Sequence, residues 1–187
     1  TETTTTSNIN SAKRYYVGKS ATPDYYGGFN LNVRYKQLSL VSQFTYSVGN
    51  YIYATEARFY HGDGALTPRS TTTYAFENRW LPGKTDALFP QHKWGGNNNS
   101  NIANTTRWLM DGTFARLRNA TLSYNISSEF VSRLKIRSAQ IYVRGTNLLT
   151  MTRDKNNFLD PEADISGIST SMTPAIKSVT FGINIGL

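Results

Sequence analysis

The chain has 187 residues, with 20 Lys and Arg against 12 Asp and Glu and no Cys. That length suffices for one domain with a real core; the lack of Cys excludes a disulfide framework and a thiolate metal site; and no run approaches 18 apolar residues, which excludes a transmembrane helix but not a membrane barrel, whose strands alternate. The net charge of +8 is spread along the chain without a basic run, so no nucleic-acid partner is expected.

Residues 1–24 are polar. They open Thr-Glu-Thr-Thr-Thr-Thr, read as a loop or a cut point, and end at the turn signal Pro23-Asp24. No charged-then-apolar start marks a signal peptide. Residues 25–36 alternate, with Phe29, Leu31, Val33 and Tyr35 on one face and Asn30, Asn32, Arg34 and Lys36 on the other. After a tight connection at Lys36-Gln37, residues 38–48 place Leu38, Leu40, Phe44, Tyr46 and Val48 opposite Gln43, Thr45 and Ser47. The pattern predicts a β-hairpin.

Residues 55–112 show no sustained period. Gly62-Asp-Gly64, Pro68, Pro82-Gly83, Pro90, Gly95-Gly96 and the run 97–100 interrupt them, and all three tryptophans, Trp80, Trp94 and Trp108, lie here. A structureless stretch this long is foreign to a compact soluble domain but ordinary in the extracellular loops of an outer-membrane barrel. Its prolines and asparagines argue against a folded subdomain. His61 and His92 lack metal-ligand spacing and read as solvated loop residues. Tyr74, Trp80 and Trp94 are the candidate contacts for a ligand or partner, although such residues also pack long loops against their neighbours. Trp108, beside the next strand, reads as a structural support.

Residues 113–125 form the third predicted strand. Unbroken alternation puts Phe114, Arg116 and Arg118 on the face of Ala120, Leu122 and Tyr124; a bulge would turn both arginines to the opposite face. Residues 127–134 read as one helical turn capped by Ser127 or Ser128. Residues 139–150 form the fourth strand, Ile141 and Val143 against Gln140, Tyr142 and Arg144. A second long loop, 151–174, holds Asp154, Asp160, Glu162 and Asp164. An EF-hand needs an oxygen ligand and then Gly where this loop has Phe158 and Leu159, so that motif fails. Asp160 reads instead as a carboxylate accepting backbone hydrogen bonds around Pro161, with a loop-bound Ca²⁺ as the alternative. The last strand, 175–187, alternates Val179, Phe181, Ile183, Ile185 and Leu187 with Thr180, Gly182, Asn184 and Gly186. An apolar face opposite a small, polar one is the pattern of a transmembrane β-barrel strand. No catalytic triad, paired-carboxylate motif, phosphate loop or metal spacing occurs, so no enzyme, cofactor or metal is expected.

From Gly18 onward the chain resembles the C-terminal part of the SusC/RagA-type TonB-dependent outer-membrane transporters of the Bacteroidetes. The resemblance rests on Thr22-Pro-Asp-Tyr-Tyr-Gly-Gly-Phe29, Tyr35-Lys-Gln-Leu-Ser-Leu40, Phe44-Thr-Tyr-Ser-Val-Gly49 and Thr106-Arg-Trp-Leu109. It continues in Phe114-Ala-Arg-Leu-Arg-Asn119, Leu122-Ser-Tyr124, Thr146-Asn-Leu-Leu-Thr150, Asp160-Pro-Glu162 and Thr180-Phe-Gly-Ile-Asn-Ile185. No single piece is decisive; their order and spacing are specific. Leu187 departs from the aromatic residue commoner at the end of such barrels. The resemblance implies an all-β, antiparallel transmembrane segment over 1–187: about five C-terminal strands of a 22-strand-class barrel, with plug domain and earlier strands lying outside this chain. It also implies active import of oligosaccharides or peptides under a SusD-like surface lipoprotein. TonB would supply energy through the missing part, and outer-membrane lipid would surround the wall. The alternative is a soluble secreted β-sheet module, an adhesin or carbohydrate-binding domain.

In a barrel, both long loops leave from the extracellular end and both short turns from the periplasmic end. Tyr35 and Tyr124 then sit in the periplasmic aromatic girdle. On unbroken alternation Arg116 lies roughly 19 Å above Tyr124 on the lipid face, where it and Arg118 would meet lipopolysaccharide phosphates. Phe29, Leu31, Val33, Leu40, Phe44, Leu122, Ile141, Val143, Phe181, Ile183 and Ile185 are expected to face lipid. Asn32, Arg34, Gln43, Arg144, Thr180 and Asn184 are expected to face the lumen, with Arg144 a candidate substrate contact. The last strand should pair with 139–150 on one edge and with a strand outside this chain on the other.

Overall fold

The computed structural model of the chain describes residues 11–65, 70–96, 105–133, 135–154, 159–162, 166–169 and 173–186. In chain order the elements are strands β1 (Tyr25–Tyr35), β2 (Leu38–Val48) and β3 (Tyr51–Ala54), helices α1 (Ala57–Tyr60) and α2 (Thr73–Glu77), and a 3₁₀ turn (Thr106–Trp108). Strands β4 (Leu109–Asp111) and β5 (Phe114–Asn125), helix α3 (Ser128–Arg133), and strands β6 (Ser138–Thr152), β7 (Ile168–Ser169) and β8 (Ser178–Gly186) follow. They belong to two compact units. Thr22–Asn50, Asp111–Glu162 and Thr173–Leu187 make one; Thr1–Ala21, Tyr51–Met110 and Ala163–Met172 make the other.

The first unit is a five-stranded sheet in the order β1-β2-β5-β6-β8, antiparallel at every pairing. All five expected strands are present, and β8 pairs with β6 as expected. β1 and β8 are its edges, so the sheet does not close on itself. Each edge offers a row of backbone groups to a further strand. The β1–β2 connection has two residues, with Lys36 at φ 52; a positive φ matches the turn to the right-handed twist of the strands. At that same end, α3 fills the β5–β6 connection, Phe130 and Val131 N–H donating to the Ser127 carbonyl.

Directly paired residues share a face, so the register defines two surfaces. One row runs Val33, Leu40, Leu122, Val143 and Phe181. The next runs Tyr35, Leu38, Tyr124, Ile141 and Ile183. Phe29 stacks on Phe44 with ring centroids 4.7 Å apart. This apolar surface is uncovered: Leu31, Phe181 and Ile183 are 46%, 79% and 66% exposed. Water would penalise such a surface at about 25 cal/mol per Å². Tyr25 and Tyr35 mark its two ends on β1; at about 3.3 Å per residue and a tilt near 40°, the band between them is about 25 Å tall, the height of an outer-membrane apolar belt. Among the described residues no helix is long and apolar enough to cross a membrane, and the strands supply the span instead.

The second unit overturns the expectation that 55–112 lacks a folded subdomain. Ile52, Ala54, Ala57, Ala75 and Trp108 are buried in it. Its sheet has the order β4-β3-β7, with β7 parallel to β3. Thr72 caps α2, its hydroxyl accepting from Ala75 N–H at 3.2 Å. Gly167 takes φ +69 and sits where a Cβ would stand 2.3 Å from Ala21 Cβ, a backbone approach that only Gly permits. Helices of four and five residues are too short to produce a readable period, which is why sequence alternation missed them.

Candidate functional site

The polar face of the sheet begins with small hydrogen-bonding residues. Across its rungs, Gln140 donates to Asn125 Oδ1 at 3.0 Å and Asn184 to Gln140 Oε1 at 3.1 Å, tying β5, β6 and β8 in one amide chain. Asn119 donates to Gln43 Oε1 at 3.0 Å, and Arg144 Nε to Thr121 Oγ1 at 3.2 Å. Arg144 also lies over the Tyr142 ring, 5.8 Å from its centroid. Tyr142 occupies space that any side chain at its partner Gly182 would need, 2.3 Å from the position of a Cβ. This face therefore presents amides, a tyrosine and the expected Arg144, with Thr180 paired beside it.

Arg116 and Arg118 do not stand on the apolar face. The β2–β5 register shifts between Gln43 and Phe44, and β5 gives an extra residue at Arg118 between Leu117 and Asn119. The extra residue reverses parity toward the start of β5. Leu117 and Ala115 join the apolar rows, and Arg116 turns to the polar side, paired with Thr45 and Thr150. The expected contact of these arginines with lipopolysaccharide is thereby corrected. Arg116 is 2% exposed and reaches two carboxylates instead, Asp160 at 2.5 Å and Glu162 at 2.7 Å. Its Nε donates to Thr150 Oγ1 at 3.1 Å. Arg118 pairs with the other oxygen of Glu162 and donates from Nε to Thr45 Oγ1 at 3.3 Å.

Asp160 also accepts from Glu162 N–H at 3.0 Å and Ala175 N–H at 2.8 Å. The backbone turn expected around Pro161 is therefore present, and the same carboxylate ties 159–162 to the chain entering β8. Two arginines and two carboxylates balance in charge, as a buried cluster must. The sequence offered no periodic signal for this clamp, because its halves lie more than 40 residues apart; charge complementarity between two acidic and two basic residues was the only clue. The acids at 160 and 162 are thus taken up by arginines rather than offered to Ca²⁺. Of the two other acids of that cluster, Asp154 and Asp164, the second lies outside the described residues, and among the described residues no group of three or more His, Asp or Glu could hold a metal.

In the second unit, His61 is buried rather than solvated, contrary to expectation. It packs edge-on against Phe89 at 5.0 Å and Tyr74 at 6.0 Å, and Tyr74 packs on Phe89 at 5.5 Å. Burial pushes the His61 imidazole below its ordinary pKa. Tyr74 is thus part of an aromatic core. Trp108 is 1% exposed, in keeping with a supporting role. Trp80 and Trp94 are 44% and 84% exposed. Trp80 borders a hollow of about 360 Å³ lined by Leu88, Phe89, Pro90, Gln91 and Arg107.

No protein-family model matches the chain. TonB-dependent receptor P3 of Formosa agariphila is 29% identical over 187 aligned positions, covering 94% of this chain and 17% of that protein. TonB-dependent receptor P26 of the same organism is 25% identical over 177 positions, covering 89% and 17%. Among solved structures, the RagAB peptide importer in its closed-closed state superposes with a TM-score of 0.73 at 28% identity, over 94% of this chain and 19% of that one. Its open-open state gives 0.66 at 25% identity. The chain therefore spans less than a fifth of the length of the relatives it matches. The resemblance read from the sequence holds in both sequence and fold: the sheet is similar to a segment of the outer-membrane β-barrels of these TonB-dependent receptors and of the RagAB importer. The relatives are named as receptors and importers, not enzymes.

Proposed function

We propose, for a chain whose sheet is that of a TonB-dependent receptor barrel, that it forms part of the wall and outer rim of an active importer of oligosaccharides or peptides. The observation that carries this reading is the pair of opposed faces. One face is an uncovered apolar band about 25 Å tall, bounded by tyrosines, and the other a polar wall of amides and arginines. A soluble adhesin or carbohydrate-binding module could not leave Phe181 and Ile183 so exposed.

The rest of the barrel, on another stretch of chain, supplies the strands that β1 and β8 need, together with the plug and its link to TonB. The C-terminal placement rests on the motifs quoted above. The second unit interrupts the sheet between β2 and β5 and between β6 and β8, the connections opposite the short turns. These connections are proposed to leave from the extracellular end of the strands, where a SusD-like lipoprotein would close over the barrel. Trp80, Trp94 and Arg144 are the proposed contacts, Trp80 and Trp94 toward lid or ligand and Arg144 toward substrate in the lumen.

Deleting residues 79–96 from the full receptor tests this. Normal barrel insertion with lost lipoprotein capture or lost uptake is expected. Unchanged capture and uptake would leave the second unit as packing alone.

A further inference from the structure

The hollow beside Trp80 is built differently from the aromatic core next to it. Trp108, in the same unit, shows how a tryptophan packs when it serves only the fold: it is 1% exposed. Trp80 and Leu88, facing the hollow, are 44% and 54% exposed, so apolar surface is presented rather than buried. Yet the frame is fixed. Trp80 N–H donates to the Phe89 carbonyl at 2.8 Å, and Leu88 N–H to the Asn78 carbonyl at 3.0 Å. The Phe89 ring is wedged against His61 and Tyr74. A preformed apolar surface carries little ordering cost on binding.

Gln91 and Arg107 complete the lining. A guanidinium has five donors in a planar fork and can take a carboxylate beside an existing partner. Basic side chains outnumber acidic ones among the described residues of this unit, which favours an anion.

We propose that this hollow is a subsite for a terminal group that carries a carboxylate beside an apolar or ring-shaped body. The body lies on Trp80, Leu88 and Pro90, and the carboxylate meets Arg107, with the Gln91 amide as a further donor. An aliphatic residue at the end of a peptide and a uronic acid at the end of a glycan share this chemistry. The assignment rests on the importer reading and narrows its cargo to molecules with an acidic end.

The test uses the full-length receptor in detergent and saturation-transfer NMR with N-acetylleucine, its carboxylate-free analogue N-acetylleucinamide, and methyl glucuronide. The expected result is a signal from N-acetylleucine or from methyl glucuronide that falls at least fivefold in Trp80→Ala and in Arg107→Gln. It should stay unchanged in Tyr16→Ala, an exposed aromatic outside the lining, and be substantially restored in Arg107→Lys. The leucine arm points to peptides and the glucuronide arm to acidic glycans; either supports the subsite. Retained heat-resistant migration on gels shows that each variant still holds its barrel. Equal signals from N-acetylleucine and its amide without a glucuronide signal, or signals indifferent to Trp80→Ala and Arg107→Gln, would overturn the subsite. Because single variants leave the 79–96 segment in place, lipoprotein capture and uptake can persist while the subsite fails. The two readings therefore fall separately.

Discussion

Phe181 and Asn184 sit on opposite faces of β8, separated only by the parity of their positions. Phe181→Arg would put a charge into the apolar band, at a cost of about 2–4 kcal/mol near mid-bilayer; Asn184→Arg, on the polar wall, should cost much less. Urea unfolding of the receptor in lipid vesicles measures both, and equal costs would show that the faces are misassigned. Arg116 and Arg118 differ in a comparable way. Arg116→Met leaves the buried Asp160 without its arginine and Glu162 with Arg118 alone, and such a loss costs about 3–5 kcal/mol. Arg118 is 31% exposed, and Arg118→Met should cost roughly 0–1 kcal/mol. The same unfolding measurement separates them, and similar costs would mean that the clamp is not organised on Arg116.

The second unit is where single elements decide behaviour. α1, α2 and the 3₁₀ turn are too short to persist alone, so Trp108 and the His61–Tyr74–Phe89 cluster must hold them. Trp108→Ala should destabilise this unit by about 3–5 kcal/mol, seen as faster proteolysis of residues 51–110 on whole cells while the barrel stays heat-resistant. His61 adds a pH dependence. Its folded pKa is lowered by burial, so the folded unit resists the proton that the unfolded chain accepts below its ordinary value of about 6.5. Stability is therefore full above that pH and is lost as pH falls through it. Proteolysis of the unit should quicken between pH 7.5 and 5.5, and His61→Gln should flatten the profile. A wild-type profile already flat in that window would remove His61 as the cause.

At the scale of the molecule, the five-stranded sheet ends in two unpaired edges, which lipid does not tolerate. The 187-residue chain alone should aggregate or remain unfolded in detergent, whereas the same residues within the whole receptor should melt with the barrel. Circular dichroism on heating distinguishes the two cases, and a cooperative melt of the isolated chain would count against the segment reading. The clamp works at this scale too. Asp160 holds Arg116 on β5 and Ala175 before β8 at once, so it helps to set where the edge strand lies for closure.

Alternation along 25–35, 38–48 and 178–186 was enough to declare these strands and their apolar face, because a period of two is local and the membrane imposes it on every strand; the barrel class rested on the resemblance to the SusC/RagA-type transporters. The hairpin and the β6–β8 pairing were legible for the same reason. What the sequence could not disclose was the parity reversal at Arg118. One extra residue leaves the local composition unchanged and moves Arg116 from one face to the other, and only the register against β2 and β6 reveals it. Nor could it disclose the fold of 51–110, the buried His61, or the partnership of Arg116 with Asp160 and Glu162. Those depend on side chains brought together over tens of residues, and the long-range packing that brings them together leaves no period behind in the chain.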